Sequence, residues 1–182
     1  MKQALIFLTE GFEEVEAVTP LDFLRRAGVD AKFVSVCGTL AVTGAHGVVY
    51  QADMLFDQHV AAQADMLILP GGMPGAQHLQ DHAALGKLLK AFHQDGKFIC
   101  AICAAPMVLG HLGILQSKQA TIYPGMEDRL IGAVPTALPV CRDGHIITSR
   151  APGTATQFAL ALIEALEGTE AAAKIKADIV FD

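Results

Sequence analysis

Residues 98–106 read Phe-Ile-Cys-Ala-Ile-Cys-Ala-Ala-Pro, and this run constrains the fold more than any other. Gly96 marks its start, and from Lys97 to Ile102 it has the apolar pattern and length of one buried strand. Ala101, Ala104 and Ala105 leave room for a sharp elbow that tolerates no bulk. Pro106 suits the first turn of a helix, where its missing N–H costs nothing, and Gly113 ends that helix after Leu112. The predicted unit is a buried strand, a tight bend and a helix, with Cys103 at the bend. A thiol there has the N–H groups of the next turn aimed at it, and the helix dipole favours its thiolate. The implied chemistry is nucleophilic or redox chemistry at sulfur.

Strand and helix patterns alternate along the rest of the chain. Gln3–Leu8, Ala31–Val36 and Asp65–Leu69 read as strands, and Ala120–Tyr123 as a further one. Glu14–Ala27 reads as an amphipathic helix kinked or interrupted at Pro20, Ala83–Gln94 as a second, and Thr154–Leu166 as a long apolar one closed by Gly168. Thr169 is expected to cap a last helix reaching Lys176. Leu40–Val42 with Val48–Tyr50, and Val140–Cys141 with His145–Thr148 around Asp143-Gly144, read as hairpins. The pattern predicts one α/β domain over residues 1–182, a mostly parallel sheet with helices on both faces.

Composition narrows the setting. The chain is 52% hydrophobic, yet it has no apolar run of membrane-spanning length, so no membrane role is expected. The N-terminal apolar run reads as a strand and not as a signal peptide, which predicts a cytoplasmic location. Thirteen basic against nineteen acidic residues give a net charge of −6 without a basic cluster, which weighs against nucleic-acid binding. Cys100 and Cys103 share a CxxC spacing, but Cys100 falls inside the strand and Cys103 at its end, on opposite faces, so no disulfide is expected. Cys37 and Cys141 complete no zinc-site spacing.

In open α/β sheets, ligands bind beyond the carboxyl ends of the strands. Three such ends carry unusual chemistry here: Thr9–Glu16, Gly71-Gly72 and Cys103. Gly71-Gly72 fits either a plain tight turn or side-chain-free backbone that brings N–H donors to an oxyanion. No phosphate-loop signature accompanies it. Glu13 and Glu14 read as solvated partners of a helix dipole. Glu16 falls on another face, with Phe12 and Val15, where an apolar pocket would keep it neutral and able to donate a hydrogen bond to a thiolate.

The ordered set Gly11-Phe12-Glu13-Glu14-Val15-Glu16, Arg25-Arg26-Ala27-Gly28, Leu69-Pro70-Gly71-Gly72 with Gly75-Ala76, Ala101–Pro106, Thr148–Thr154 and Ile163–Leu166 resembles the ThiJ/PfpI family over essentially the whole chain. The resemblance implies a flavodoxin-like three-layer sandwich, a homodimer, Cys103 as nucleophile and Glu16 as its protonated carboxylic partner. It also implies that Gly71, Gly72 and Ala104 line an anion site, and that the first long helix lies in the dimer interface, bringing Arg26 near that site. One departure is informative: protease-like members carry a histidine where this chain has Tyr123, before Pro124. None of the seven histidines takes that place, and His46 and His111 read as surface or packing residues. A Cys-His peptidase would lack its base. The expected activity is cofactor-free and metal-free: glyoxalase or deglycase chemistry on small 2-oxoaldehydes or their glycated adducts, with Tyr123 beside the substrate. The alternatives are a redox sensor or chaperone acting through Cys103 oxidation and, more weakly, an amidase or peptidase.

Overall fold

The computed structural model describes residues 1–181. In chain order its elements are β1 (Gln3–Leu8), α1 (Glu14–Arg26), β2 (Asp30–Ser35), β3 (Ala41–Thr43), β4 (Val49–Gln51), β5 (Met54–Leu55), α2 (Gln58–Ala61), β6 (Met66–Leu69), α3 (Gly75–Asp81), α4 (Ala83–Gln94), β7 (Phe98–Ile102), α5 (Pro106–His111), β8 (Gln119–Ala120), β9 (Val134–Pro135), β10 (Val140–Asp143), β11 (Ile146–Ser149), α6 (Ala155–Glu167) and α7 (Thr169–Asp178). Seven strands form the central sheet in the order β10-β11-β7-β6-β1-β2-β5. Its pairings are parallel except β10 with β11, which are joined by the turn at Asp143-Gly144.

The order explains the layers. From β1 the chain steps one way to β2 through α1, whereas from β6 it steps the other way to β7 through α3 and α4. Right-handed crossovers then place α1 and α4 on opposite faces. Accordingly α1 packs on α6 and α6 on α7, while α3 packs with α4 and α5. The neighbouring strands β1 and β6 mark where the direction reverses, so the crevice beyond their carboxyl ends is where a ligand is held. Buried on both faces, β1, β6 and β7 are almost wholly apolar, and with Phe12, Phe92 and Phe158 they make up the centre of the core. Among the described residues no helix is long and apolar enough to cross a membrane.

Several expectations need correction. α1 runs unbroken through Pro20. The helical bond that Pro20 forgoes is the one to the carbonyl of Glu16, four residues earlier. Of Ala120–Tyr123 only Ala120 is in a strand, as the second residue of β8, which pairs with β9 outside the central sheet, and Tyr123 lies beyond it in a turn. Thr169 is the first residue of α7, not its cap; Gly168 holds the capping position. Val15 is 49% exposed and does not pack on the sheet, unlike Phe12, which is fully buried.

Candidate active site

Cys103 follows β7 directly and takes φ +63°, the left-handed region that non-glycine residues rarely enter. Its backbone is held there from both sides. The Cys103 N–H donates to the Ser149 carbonyl at 3.0 Å, and its carbonyl accepts from the Tyr123 N–H at 2.9 Å. Ser149 is fixed in turn, because its hydroxyl donates to the Pro139 carbonyl at 2.8 Å and lies 2.7 Å from the Thr154 hydroxyl. This support holds the bend, whose backbone strain is of order 1–3 kcal/mol.

Glu16, fully buried on the first turns of α1, faces the bend across the loop after β6. The Gly71 N–H donates to Glu16 Oε2 at 2.8 Å, and Oε1 is buried with no partner among the described residues. Gly71 separates the two side chains. A Cβ added there would stand 2.6 Å from Glu16 Oε2, 2.7 Å from Cys103 Cβ and 2.9 Å from the Ile102 carbonyl oxygen, so glycine is a steric requirement. Gly72 adopts φ +85°, and a Cβ on it would stand 2.7 Å from the Gly11 carbonyl oxygen. The Gly72 and Ala104 N–H groups lie close enough to the Cys103 sulfur to favour its thiolate.

Burial pushes the Glu16 carboxyl up to about 7, against the pull of the neighbouring Cys103 thiol and the Gly71 N–H. Burial, then the charge of an ionised Glu16 and its hydrogen bond, push the Cys103 thiol up to about 12, while the Gly72 and Ala104 N–H groups pull it down. Two of the causes that raise the thiol exist only when Glu16 is ionised. A proton on Glu16 removes them and turns the carboxyl into a donor to the sulfur, so the pair shares one proton and a thiolate forms only with Glu16 protonated. Cys100, fully buried in β7, has its thiol pushed far above the usual range, and all four cysteines are free.

A cavity of about 240 Å³ opens in front of the sulfur, lined by Gly72, Met73, Cys103, Ala104, Tyr123 and Met126. A larger hollow of about 400 Å³ between α6 and α7 is lined by no cysteine. The site therefore brings together Cys103, Glu16, Gly71, Gly72, Ala104 and Tyr123. Within one chain Arg26 stays apart from them: it ends α1, about 15 Å along the helix axis from Glu16, and pairs with Asp22 at 2.8 Å.

Residues 2–165 match the sequence model of the DJ-1/PfpI family. The chain belongs to the DJ-1/PfpI family. It is 38% identical to the Parkinson disease protein 7 homolog of Danio rerio over 98% of this chain and 97% of that protein. It is 31% identical to a Pyrococcus abyssi protein named as a deglycase, over 83% and 91% of the two chains. Oxidized DJ-1 from Toxoplasma gondii superposes with a TM-score of 0.94 at 38% identity, covering 100% of this chain and 99% of the other. The chain spans only 41% of the length of protein DJ-1 homolog B from Arabidopsis thaliana, to which it is also 38% identical. The flavodoxin-like arrangement expected from the sequence is thus the fold of this DJ-1/PfpI chain.

Beside the site, the expectation that Glu14 is solvated fails. Glu14 is only 7% exposed, and its carboxylate accepts the His46 N–H at 2.8 Å and lies 2.9 Å from His46 Nδ1. Burial raises the Glu14 carboxyl, but the bonds from the His46 ring and nearby backbone N–H groups outweigh it, and the net direction is down. A side chain at Gly44 would collide with this carboxylate. Glu13, Glu14 and His46 are the one set among the described residues whose ligand atoms, all within 4.8 Å, could close on a metal ion. Both Glu14 oxygens are already used in tying α1 to the β3–β4 hairpin. Sequence reading had no signal for this tie, nor for the Ser149–Thr154 support beyond the presence of hydroxyls after a strand.

Proposed function

We propose that the chain converts small 2-oxoaldehydes into 2-hydroxy acids without glutathione, metal or organic cofactor. The observation that carries this reading is the pair of Cys103, held in its bend, and buried Glu16, packed on either side of Gly71 at the mouth of a small cavity. The sulfur adds to the aldehyde carbon, forming a C–S bond, and the carbonyl oxygen takes up the shared proton to give a hemithioacetal. The developing oxyanion lies near the N–H groups of Gly72 and Ala104. Glu16, now a carboxylate, removes the C–H proton and returns it to the neighbouring carbon, while the hydroxyl proton passes to the second oxygen. The aldehyde carbon is oxidised as the ketone carbon is reduced, leaving a thioester. Water cleaves the C–S bond and releases the 2-hydroxy acid and the thiol. Early adducts of the same aldehydes with protein side chains present the same two carbons, and the deglycase name of the archaeal relative agrees with this chemistry.

The test is formation of lactate from methylglyoxal by purified protein without glutathione. Turnover falling at least ~1000-fold in Cys103→Ala supports the reading; equal rates in parent and variant refute it. We propose further that the chain works as a homodimer through α1, which offers the exposed Val15 and would carry the partner's Arg26 toward this cavity. Sedimentation at micromolar concentration that gives only the monomer mass refutes the dimer.

A second reading is favoured by the oxidized state of the Toxoplasma gondii relative. Hydrogen peroxide, supplying one oxygen per equivalent, would oxidise Cys103 through a sulfenic to a sulfinic acid, whose oxygens the same N–H groups and protonated Glu16 would hold. Intact mass after mild peroxide tests this, with a gain of two oxygens that is lost in Cys103→Ala. Tyr123 supplies no imidazole beside the sulfur, which disfavours Cys-His peptidase chemistry.

A further inference from the structure

The cavity in front of Cys103 has a floor and a wall of different character. Gly72, Cys103 and Ala104 form the floor, where the reacting carbonyl is held, and Met73, Tyr123 and Met126 form the wall. Met73 is 54% and Tyr123 46% exposed, while Met126 packs partly against the core. A water occupies about 30 Å³ of liquid, so 240 Å³ corresponds to roughly eight such volumes. This is below the 300–1,000 Å³ typical of drug-sized ligands. An aldehyde group covers only the floor, and most of the hollow is left for whatever the second carbonyl carries.

The wall presents two thioethers and a phenol ring, with no charged side chain among the lining residues. Unbranched methionines adapt to irregular apolar groups and make favourable contacts between sulfur and aromatic rings.

We infer that Met73, Tyr123 and Met126 form an apolar subsite that selects 2-oxoaldehydes bearing an aromatic or bulky apolar group over glyoxal. The choice of aldehydes rests on the reaction proposed above; the selectivity of the subsite does not. A buried apolar group of this size is worth tenfold or more in kcat/KM by analogy with hydrophobic pockets that differ by one methylene, about 10–200-fold.

Two measurements separate the claims. In the first, kcat/KM is compared for phenylglyoxal, methylglyoxal and glyoxal in the parent, in Met73→Ser and in Met126→Ser. The expected order is that of the names just given. Each serine variant is expected to shrink the ratio of phenylglyoxal to glyoxal by at least ~threefold, mainly through KM. In the second, Cys103 is alkylated by N-phenylmaleimide and N-ethylmaleimide, and the ratio of rates is divided by the same ratio for free cysteine. A parent value of about ten that falls toward one in Met73→Ser supports the subsite without requiring turnover. A parent value of one, or a preference for glyoxal over phenylglyoxal, overturns the subsite even if methylglyoxal is consumed. A raised maleimide ratio with no aldehyde turned over leaves the subsite standing and removes the proposed reaction.

Discussion

Replacing Glu16 by Gln keeps the length of the side chain and its place on α1 but removes the carboxyl that shares a proton with Cys103. In the parent that pair loses its first proton near pH 7, the value to which burial raises Glu16. Reactivity of the sulfur toward iodoacetamide should therefore rise with a midpoint near 7, whether the proton leaves from sulfur or through Glu16 acting as base. In Glu16→Gln only the thiol can ionise. The Gly72 and Ala104 N–H groups still favour the thiolate, but Cys103, 8% exposed, keeps its burial penalty. The midpoint then lies above the ordinary thiol value of about 8.5. A separation of about 1.5 on the pH scale is about 2 kcal/mol, so alkylation below pH 7 should slow roughly thirtyfold. Stability gives a second reading of the same group. A carboxyl raised from 4.5 to about 7 in the folded state contributes stability that is full below its unfolded value and lost as pH rises through 7. The loss amounts to about 3 kcal/mol and should be absent from Glu16→Gln. The assays are alkylation rates followed by mass spectrometry and urea unfolding, each across pH. A midpoint near 7 in the variant, or one near 8.5 in the parent, refutes the shared proton.

Gly71→Ala should abolish detectable aldehyde turnover and lower stability by about 1–3 kcal/mol, because the added methyl meets Glu16 Oε2, Cys103 Cβ and the Ile102 carbonyl at once; wild-type kcat/KM would refute this. His93 and His145 lie 3.0 Å apart, Nδ1 to Nε2, and burial lowers both, with Lys118 adding to each, the other imidazole to His145, and Asp143 opposing at His145. The unfolded chain then binds more protons, so stability is full above 6.5 and falls as pH drops below it. Urea midpoints measured between about pH 7.5 and 5.5 should fall in the parent and flatten in His93→Gln/His145→Gln, once the Glu16 contribution of opposite sign is removed by making both in Glu16→Gln. Phe158→Ala, which empties a fully buried position of α6, should cost about 3–5 kcal/mol without moving the pH midpoint of Cys103 alkylation; a shifted midpoint would mean that the core and the site are coupled.

Local pattern determined much of this protein. The apolar runs of β1, β6 and β7 can be satisfied only as strands buried on both faces, and the small residues around Cys103, followed by Pro106, force the elbow wherever that strand is placed. The glycines at 71 and 72 were legible as a special turn because side-chain-free backbone has few uses. The DJ-1/PfpI family was legible because its motifs occur in order along the whole chain. What remained was decided by distance in space. Glu14 and Glu16 stand two residues apart near one helix terminus with the same charge; helical spacing turns them to different faces and so singled out Glu16, but it does not say what either face meets. The β6 loop meets Glu16 and shuts it from water, whereas the β3–β4 hairpin brings His46 to Glu14 and keeps it ionised. Tyr123 was expected in a strand. The turn beyond β8 instead places its N–H on the Cys103 carbonyl and its ring beside Met73 and Met126. Periodicity reports which face of an element is buried, but the partner that buries it, and so the pKa and the shape of the cavity, exists only once segments tens of residues apart have packed together.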